Sequence, residues 1–410
     1  MKNSFRFVSC GGFLFVVFYL FTIANPLHAQ WIQTGLDGFF IRTITSTGSY
    51  LFVGTSGDGM FRSTNNGASW TSINNGLIGL EFPAFAVSGT NLYAGSEGQG
   101  VFLSTNNGTS WNPTGTLTNP YVYALAVSGT DVYAGADGNG VYRSTNNGTS
   151  WTIVSSGITN TRVFALAVSG INIFAGTFGG GVFRSTNNGS NWIAVNNGLT
   201  NTDVWTIAVS GTNLYAGTGS GIFISTNSGT GWNVISNGLT NTYIHSIVFC
   251  GTNIFCGTDA NGVFRSSNGG TNWIAMSEGL TELNIWVLAV SGLNLFAGSN
   301  GSGVWKRPLS EVTPVKELST DLPIHFGLDQ NYPNPFNPTT NIKFDVAENG
   351  FVSLKVFDIT GKQVADLVND NLPIGTYKVD WSANGLSSGI YFYTLKTDKF
   401  SETKRMMLIK

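Results

Sequence analysis

Eight residues, written six times, restrict what this chain can fold into more than any other feature. The fullest copy is Ser144-Thr145-Asn146-Asn147-Gly148-Thr149-Ser150-Trp151. Near copies occupy residues 63–70, 104–111, 185–192, 225–232 and 266–273. Their tryptophans stand 40 or 41 residues apart. A repeat of that period implies one supersecondary unit per copy, which buries its apolar face only against its neighbours. Each copy lies between two runs of β-type alternation, such as Gly140-Val141-Tyr142-Arg143 and Trp151-Thr152-Ile153-Val154. Asn-Gly between such runs marks a hairpin, because both residues tolerate positive φ. Ser144 and Asn146 can fold their side chains back onto the turn backbone. Trp151 opens the next strand with a large apolar face and one N–H to satisfy.

One full period reads as four strands, at residues 122–128, 131–134, 140–144 and 151–154. Four short strands in about 40 residues is the signature of a propeller blade. The turn between the first two strands recurs seven times, at Gly48, Gly89, Gly129, Gly170, Gly211, Gly251 and Gly292. The seventh unit ends at Gly303-Val304-Trp305-Lys306 with no box and no fourth strand after it. The missing piece stands at the other end, where Trp31-Ile32-Gln33-Thr34 matches the segments beginning at Trp70 and Trp151. The sequence therefore predicts an all-β chain. Residues 30–307 form a seven-bladed β-propeller whose last blade is closed by the N-terminal strand, leaving only short sheet edges exposed.

The box resembles the Asp-box, or BNR repeat, Ser-x-Asp-x-Gly-x-x-Trp. In that family it caps the hairpin between the third and fourth strands of a blade. Here the Asp position is Asn in all six copies: Asn65, Asn106, Asn146, Asn187, Asn227 and Asn268. Asn keeps the turn hydrogen bonds and drops the charge. The box is therefore expected to be a turn staple and not a set of metal ligands. Arg62, Arg143, Arg184 and Arg265 recur at one third-strand position and are expected to be structural for the same reason of repetition.

Only 10% of the 410 residues are charged, and the formal net charge is −2. That balance gives no electrostatic case for nucleic acid or for an anionic membrane. Lys2 and Arg6 precede an apolar stretch at 10–23, and Ala29 precedes Gln30 as a cleavage point. The apolar run is short for a membrane span of about 20 residues. Residues 1–29 are expected to be a cleaved signal peptide, leaving no transmembrane span in the mature chain. Cys250 and Cys256 then remain, either bridged across a hairpin or serving as two small buried side chains.

The repeat stops at Arg307. Residues 308–327 hold prolines, charges and Ser/Thr without periodicity and read as a linker. Asn331-Tyr332-Pro333-Asn334-Pro335-Phe336-Asn337-Pro338 is too rich in proline for a central strand. Six alternating runs follow, from Ile342 to Ile409, with turns at Gly361 and Gly389, and suggest a small Ig-like β-sandwich. These residues resemble the type A C-terminal sorting domain of the type IX (Por) secretion system. The likeness covers residues 328–410 and includes the proline run, Val356-Phe357-Asp358-Ile359-Thr360-Gly361, Ser388-Gly389-Ile390-Tyr391-Phe392-Tyr393 and the basic ending. The resemblance implies export by the Sec translocon to the periplasm and passage across the outer membrane by the type IX machinery. Removal of the domain would then leave the cargo on the cell surface or in the medium.

Asp-box propellers include sialidases and other glycoside hydrolases, so the acids need inspection. No carboxylate pair stands out by spacing, though Glu81, Asp203 and Glu97 are the best candidates for hydrolase or lyase chemistry. His28, His245 and His325 do not cluster, so no metal centre is argued, and no cofactor motif is present. Comparing the repeats exposes one divergent ring. Eight positions before the turn glycine stand Phe40, Glu81, Tyr121, Arg162, Asp203, Tyr243 and Asn284. In a propeller this point lies at one mouth of the central channel. Asp58, Glu97, Asp137, Phe178, Asp259 and Asn300 are expected on the same face. Two positions inward stand Arg42, Pro83, Tyr123, Phe164, Trp205, His245 and Trp286, mostly core-sized aromatics expected to wedge between blades, with Arg42 and His245 as the exceptions. Copies that otherwise repeat closely but diverge at the mouth suggest a non-catalytic surface for a glycan or an envelope protein. A hydrolase at the mouth is the second reading, and a structural or assembly role the third.

Overall fold

The computed structural model describes residues 30–309, 316–319, 323, 325–348, 350–372, 374–383 and 386–409. The expected signal peptide lies outside the described residues. Seven four-stranded antiparallel sheets follow one another along residues 32–308. The third is typical, with strands Val122–Ser128, Asp131–Ala136, Gly140–Ser144 and Thr152–Ile153. Each inner strand touches the inner strand of the next sheet, and Ile285–Ser291 touches Phe40–Thr47, which closes the ring. The seventh sheet takes its outer strand from the N-terminus, with Ile32 opposite Lys306 and Gln33 opposite Trp305.

The second strands show why the blades stack. Asp131–Ala136 is buried at five consecutive positions, because neighbouring blades cover both of its faces. Gly95 illustrates the tightness: a Cβ there would stand 2.7 Å from Cγ1 of Val122 in the next blade. Small residues in one blade receive branched residues from the next.

The eight-residue box folds into the same turn six times. Ser144 Oγ donates to Asn146 Oδ1 at 2.9 Å and accepts from the Gly148 N–H at 2.8 Å. Asn146 Oδ1 also accepts the Ser150 N–H at 3.0 Å, while its amide nitrogen donates to Ser150 Oγ at 2.9 Å. Asn147 sits at φ 54° and the glycine at φ 84°, as the Asn-Gly pair requires. Oδ1 needs only its lone pairs here, which is why an amide can stand where a carboxylate would.

The box tryptophan clasps two blades together at most seams, although Trp151 Nε1 instead reaches Thr114 Oγ1 at 3.1 Å and the buried Trp70 Nε1 has no hydrogen-bond partner among the described residues. Trp192 Nε1 donates to the Val154 carbonyl at 2.6 Å, and its own N–H donates to the Ser156 carbonyl at 2.8 Å. Val154 and Ser156 follow the outer strand of the preceding blade. The indoles of Trp111, Trp232, Trp273 and Trp31 make the same bond to Ile73, Val195, Ile235 and Met276. Trp31 therefore uses this clasp at the closure point, and its N–H bonds the Glu278 carbonyl at 2.9 Å. Arg62 and Arg184 add a bond each to the carbonyls of Asn107 and Ser228 in the next box. Two of the four repeated arginines are thus engaged between blades, while Arg143 pairs with Asp131 of its own blade.

Residues 316–408 build two further four-stranded sheets. Lys316–Ser319, in the segment expected to be a linker, pairs with Gly375–Ser382. The proline run wraps the edge of this sandwich. Asn331 is buried, and its amide donates to the Pro333 carbonyl at 3.0 Å and to Thr340 Oγ1 at 2.9 Å. Tyr393 Oη accepts the Asn331 N–H and donates to the Asp329 carbonyl, both at 2.8 Å. Phe336 is buried against Trp381 and pairs with the last strand, accepting the Ile409 N–H. Asn331 and Thr340 thus hold the proline run in place, Asn334 and Phe336 fasten the C-terminal strand, with Asn334 Oδ1 accepting the Met407 N–H at 2.9 Å, and Tyr332 stays 76% exposed. At the Gly361 turn, Asp358 Oδ1 accepts from the N–H groups of Thr360 and Lys362. Cys250 and Cys256 are both free thiols. They pair with Asn253 and Ile247 at separate register positions of one hairpin, which keeps the sulfurs apart.

The clasp leaves no room at the glycine that follows it. Gly198 has φ 83°, and a Cβ there would collide with the Trp232 carbonyl oxygen of the next blade. Gly198→Ala is expected to lower stability by roughly 2 kcal/mol, from left-handed strain plus the steric conflict. Denaturant unfolding of the mature chain measures it. A loss below about 0.5 kcal/mol, the scale of an ordinary surface change, would contradict the clasp.

Candidate functional site

Three successive residues of each inner strand go to three different places. In the third blade Tyr121 is 50% exposed at the rim of the channel, Val122 is fully buried against the preceding blade, and Tyr123 is half-buried. The ladder to the second strand shifts register just here, between Val122 and Ala124. The same shift falls at Arg42, Phe164, Trp205, His245 and Trp286. Each of these is the extra residue of a β-bulge, and a bulge re-aims its side chain. In the second blade the position is Pro83, just ahead of the strand Ala84–Ser88, where no ladder N–H is required.

The bulged residues form an arc around the axis. Tyr123 and Phe164 lie with ring centroids 4.8 Å apart, and Phe164 and Trp205 at 5.4 Å. Trp205 and His245 stand at 6.0 Å, and His245 stacks on Trp286 at 5.0 Å with an interplanar angle of 4°. The Arg42 guanidinium completes the circuit, 4.5 Å from the centre of the Trp286 ring. These residues line the channel and do not wedge between blades as the sequence suggested. The wedge is the residue before each of them, such as Val122 or Ile244.

The divergent ring sits directly above. Phe40, Tyr121 and Tyr243 are 45%, 50% and 42% exposed, and each lies against a loop glycine of the preceding blade. Glu81 and Arg162 are exposed, and Asp203 and Asn284 half-buried. Backbone bridges tie the ring to the loops on the same face: Phe40 to Asn300, Glu81 to Ser56, Tyr121 to Glu97, Arg162 to Asp137 and Asp203 to Phe178. The preceding residue, such as Pro120 or Thr161, accepts two loop N–H groups from the neighbouring blade. The mouth is therefore a laced backbone with variable side chains.

Charge is distributed unevenly over it. Arg42 Nη2 reaches Glu97 Oε1 at 3.2 Å, joining the seventh, first and second blades in one contact chain. Burial holds the Glu97 carboxyl above the usual carboxylate range against the pull of Arg42, and the adjacent Glu81 adds to the rise. The Tyr123 phenol beside Glu97 is pushed up to about 12, chiefly by burial. Arg162 Nε donates to Asp137 Oδ1 at 2.8 Å, with the guanidinium 4.8 Å from the Phe178 ring centre. Of the three acids singled out for hydrolysis, Glu81 and Glu97 are neighbours, the Glu97 N–H bonded to the Glu81 carbonyl at 3.1 Å, while Asp203 belongs to the fifth blade. Among the described residues no group of three or more His, Cys, Asp or Glu side chains could hold a metal ion.

His245 is the titratable centre of the arc. Burial holds its imidazole below the ordinary 6.5, with Asp259 opposing that shift and Arg42 reinforcing it. A histidine whose pKa falls on folding stabilises the fold above its unfolded pKa and loses that contribution as pH falls through the folded value. Stability is therefore expected to decline as pH falls below about 6.5, and His245→Gln to flatten that part of the profile. Thermal midpoints at matched ionic strength measure it. Parallel profiles for both proteins would contradict a buried neutral imidazole.

Residues 330–410 match the model of the secretion system C-terminal sorting domain. Residues 40–163 match that of the DUF6242 beta propeller domain. No curated protein sequence matches. Among solved structures, the extracellular domain of BT3049 from B. thetaiotaomicron superposes with a TM-score of 0.61 at 15% identity, covering 93% of this chain and 57% of that one. PorZ, a surface component of the type-IX secretion system of Porphyromonas gingivalis, gives 0.56 at 15% identity over 92% of this chain and 60% of its own. YCF48 bound to D1 peptide gives 0.57 at 14% identity over 70% and 96%. This chain thus spans less than two thirds of the first and second of these, and the likenesses concern the fold. No helix among the described residues is long and apolar enough to cross a membrane. The sorting domain indicates export to the cell surface or extracellular space, with the secretion machinery as partner. The chain is a β-propeller carrying a secretion system C-terminal sorting domain.

Proposed function

We propose that the exported propeller is a binding module that captures its ligand, a glycan or a protein segment, at the channel mouth without chemistry. One observation carries the reading. A continuous aromatic arc lies open under a rim that bears three further exposed aromatics, on a backbone tied blade to blade. Exposed aromatic rings on a rigid base are what binding hot spots use, because little entropy is lost when they are covered. The YCF48 structure with a D1 peptide is a precedent for ligand capture by a propeller of similar fold.

The carboxylates favour binding over hydrolysis. Glycosidases place theirs about 5 Å or more apart, on either side of a sugar bond. Glu81 and Glu97 are joined backbone to backbone as neighbours, and Glu97 is already engaged by Arg42 at 3.2 Å. The box turns supply the scaffold, since their Ser and Asn side chains are spent on their own turns.

The mature chain, immobilised and probed with a glycan array and with outer-membrane extracts, tests this reading. Tyr243→Ala is expected to weaken the captured ligand at least about tenfold, the scale of a rim hot spot. Thr230→Ala, in a box turn, is expected to leave it unchanged. Equal loss in both variants, or loss only in the second, would move the site off the mouth.

A further inference from the structure

We infer that the mouth between the fifth and sixth blades seats a guanidinium, that of an arginine presented by a peptide ligand. The inference rests on the mouth being the binding face and narrows what it binds. Two guanidiniums already at this mouth show how the surface treats such a group. Arg42 lies over the Trp286 ring and ends on Glu97. Arg162 lies over Phe178 and Phe164 and ends on Asp137. Each is held by an aromatic face and a carboxylate together, the arrangement that suits a planar, weakly hydrated cation.

The third sector repeats the hosts without the guest. Trp205, Tyr243 and His245 form a triangle with centroids 6.0, 6.3 and 6.5 Å apart. Asp203 flanks it on the side of the Phe178 loop, and Asp259 on the other, its N–H bonded to the Tyr243 carbonyl. Neither carboxylate forms an ion pair among the described residues, whereas Glu97 and Asp137 both do. Asn284 follows on the seventh blade, and its Oδ1 is a buried acceptor with no donor. A guanidinium offers five N–H donors in one plane, enough for a carboxylate and an amide oxygen at once. The wider field points the same way. Glu81, Glu97, Asp137, Asp203 and Asp259 lie on the bridged rim and its loops with Arg42 and Arg162, so an approaching cation is drawn in.

The test titrates acetyl-Gly-Arg-Gly-amide and its citrulline counterpart, which keeps the shape and loses the charge, into the mature chain. The Trp205 indole N–H resonance, assigned with Trp205→Phe, reports occupancy. The arginine peptide is expected to move it saturably with a Kd of about 1–10 mM. The citrulline peptide is expected to bind at least about tenfold more weakly, in line with loss of the cation–π and ion-pair contacts. Asp203→Asn with Asp259→Asn, isosteric and remote from the clasp, is expected to abolish the difference between the peptides. Equal binding of both peptides, no binding by either, or an unaltered preference in the double variant would overturn the inference. A neutral glycan bound through Tyr243 under the same conditions would leave the mouth as the binding face and remove only the cation.

Discussion

The propeller depends above all on one contact, made at five of its seven seams, in which a tryptophan of one blade clasps the backbone that follows the outer strand of the blade before it. A blade alone has a two-residue outer strand and a second strand buried on both faces, so it cannot stand by itself. The indole bond to the preceding blade, the backbone bond beside it and the carbonyl that presses on the following glycine are a single interlocking unit. Repeated at five of the seven seams, that unit helps fix the rotation from one blade to the next. Trp31 shows that the N-terminal strand is more than a filler of the last sheet, because it restores the clasp where the chain would otherwise leave a seam.

A scaffold fixed at its outer edge frees the inner edge to vary. The lacing of loop N–H groups onto inner-strand carbonyls, with Asn119, Asn160 and Asn241 side chains bonded alongside it, holds the mouth largely through the backbone and leaves most rim side chains freer to vary. The bulge then turns one residue per blade into the channel. Outer positions accordingly repeat, with Ser, Asn, Gly and Trp in nearly every copy, while the rim and channel hold aromatic, acidic and basic types in no repeating order. The sorting sandwich shows the same economy. Its proline run fastens the last strand through Asn334 and Phe336, is itself held by Asn331 and Thr340, and leaves Tyr332 outward.

Much of this was legible in the chain, for physical reasons. Turn chemistry and a 40-residue period declare the blades, and the mismatch between the ends declares the closure at Trp31. The proline run and its following strands resemble the sorting domain strongly enough to place its start within a few residues of the matched segment. The divergent ring also stands out because near-identical repeats provide their own comparison. The channel ring was misplaced. Strand alternation has period two, so Tyr121 and Tyr123 should share a face, and large aromatics such as Phe164 and Trp205 look like core wedges. The bulge breaks that parity, and nothing in Val122-Tyr123-Ala124 announces an extra residue. The ionic chain from Trp286 through Arg42 to Glu97 was equally hidden. It joins three blades whose residues are far apart in sequence and near only once the ring has closed.

Closure by the clasp can be read directly from amide hydrogen exchange of the mature chain. In a closed ring the Trp31 N–H, bonded to Glu278, should exchange as slowly as the Trp192 N–H inside the ring, bonded to Ser156. Exchange of Trp31 faster by about a hundredfold or more, with Trp192 still protected, would mean that the seam opens on its own and that the blades form an open array.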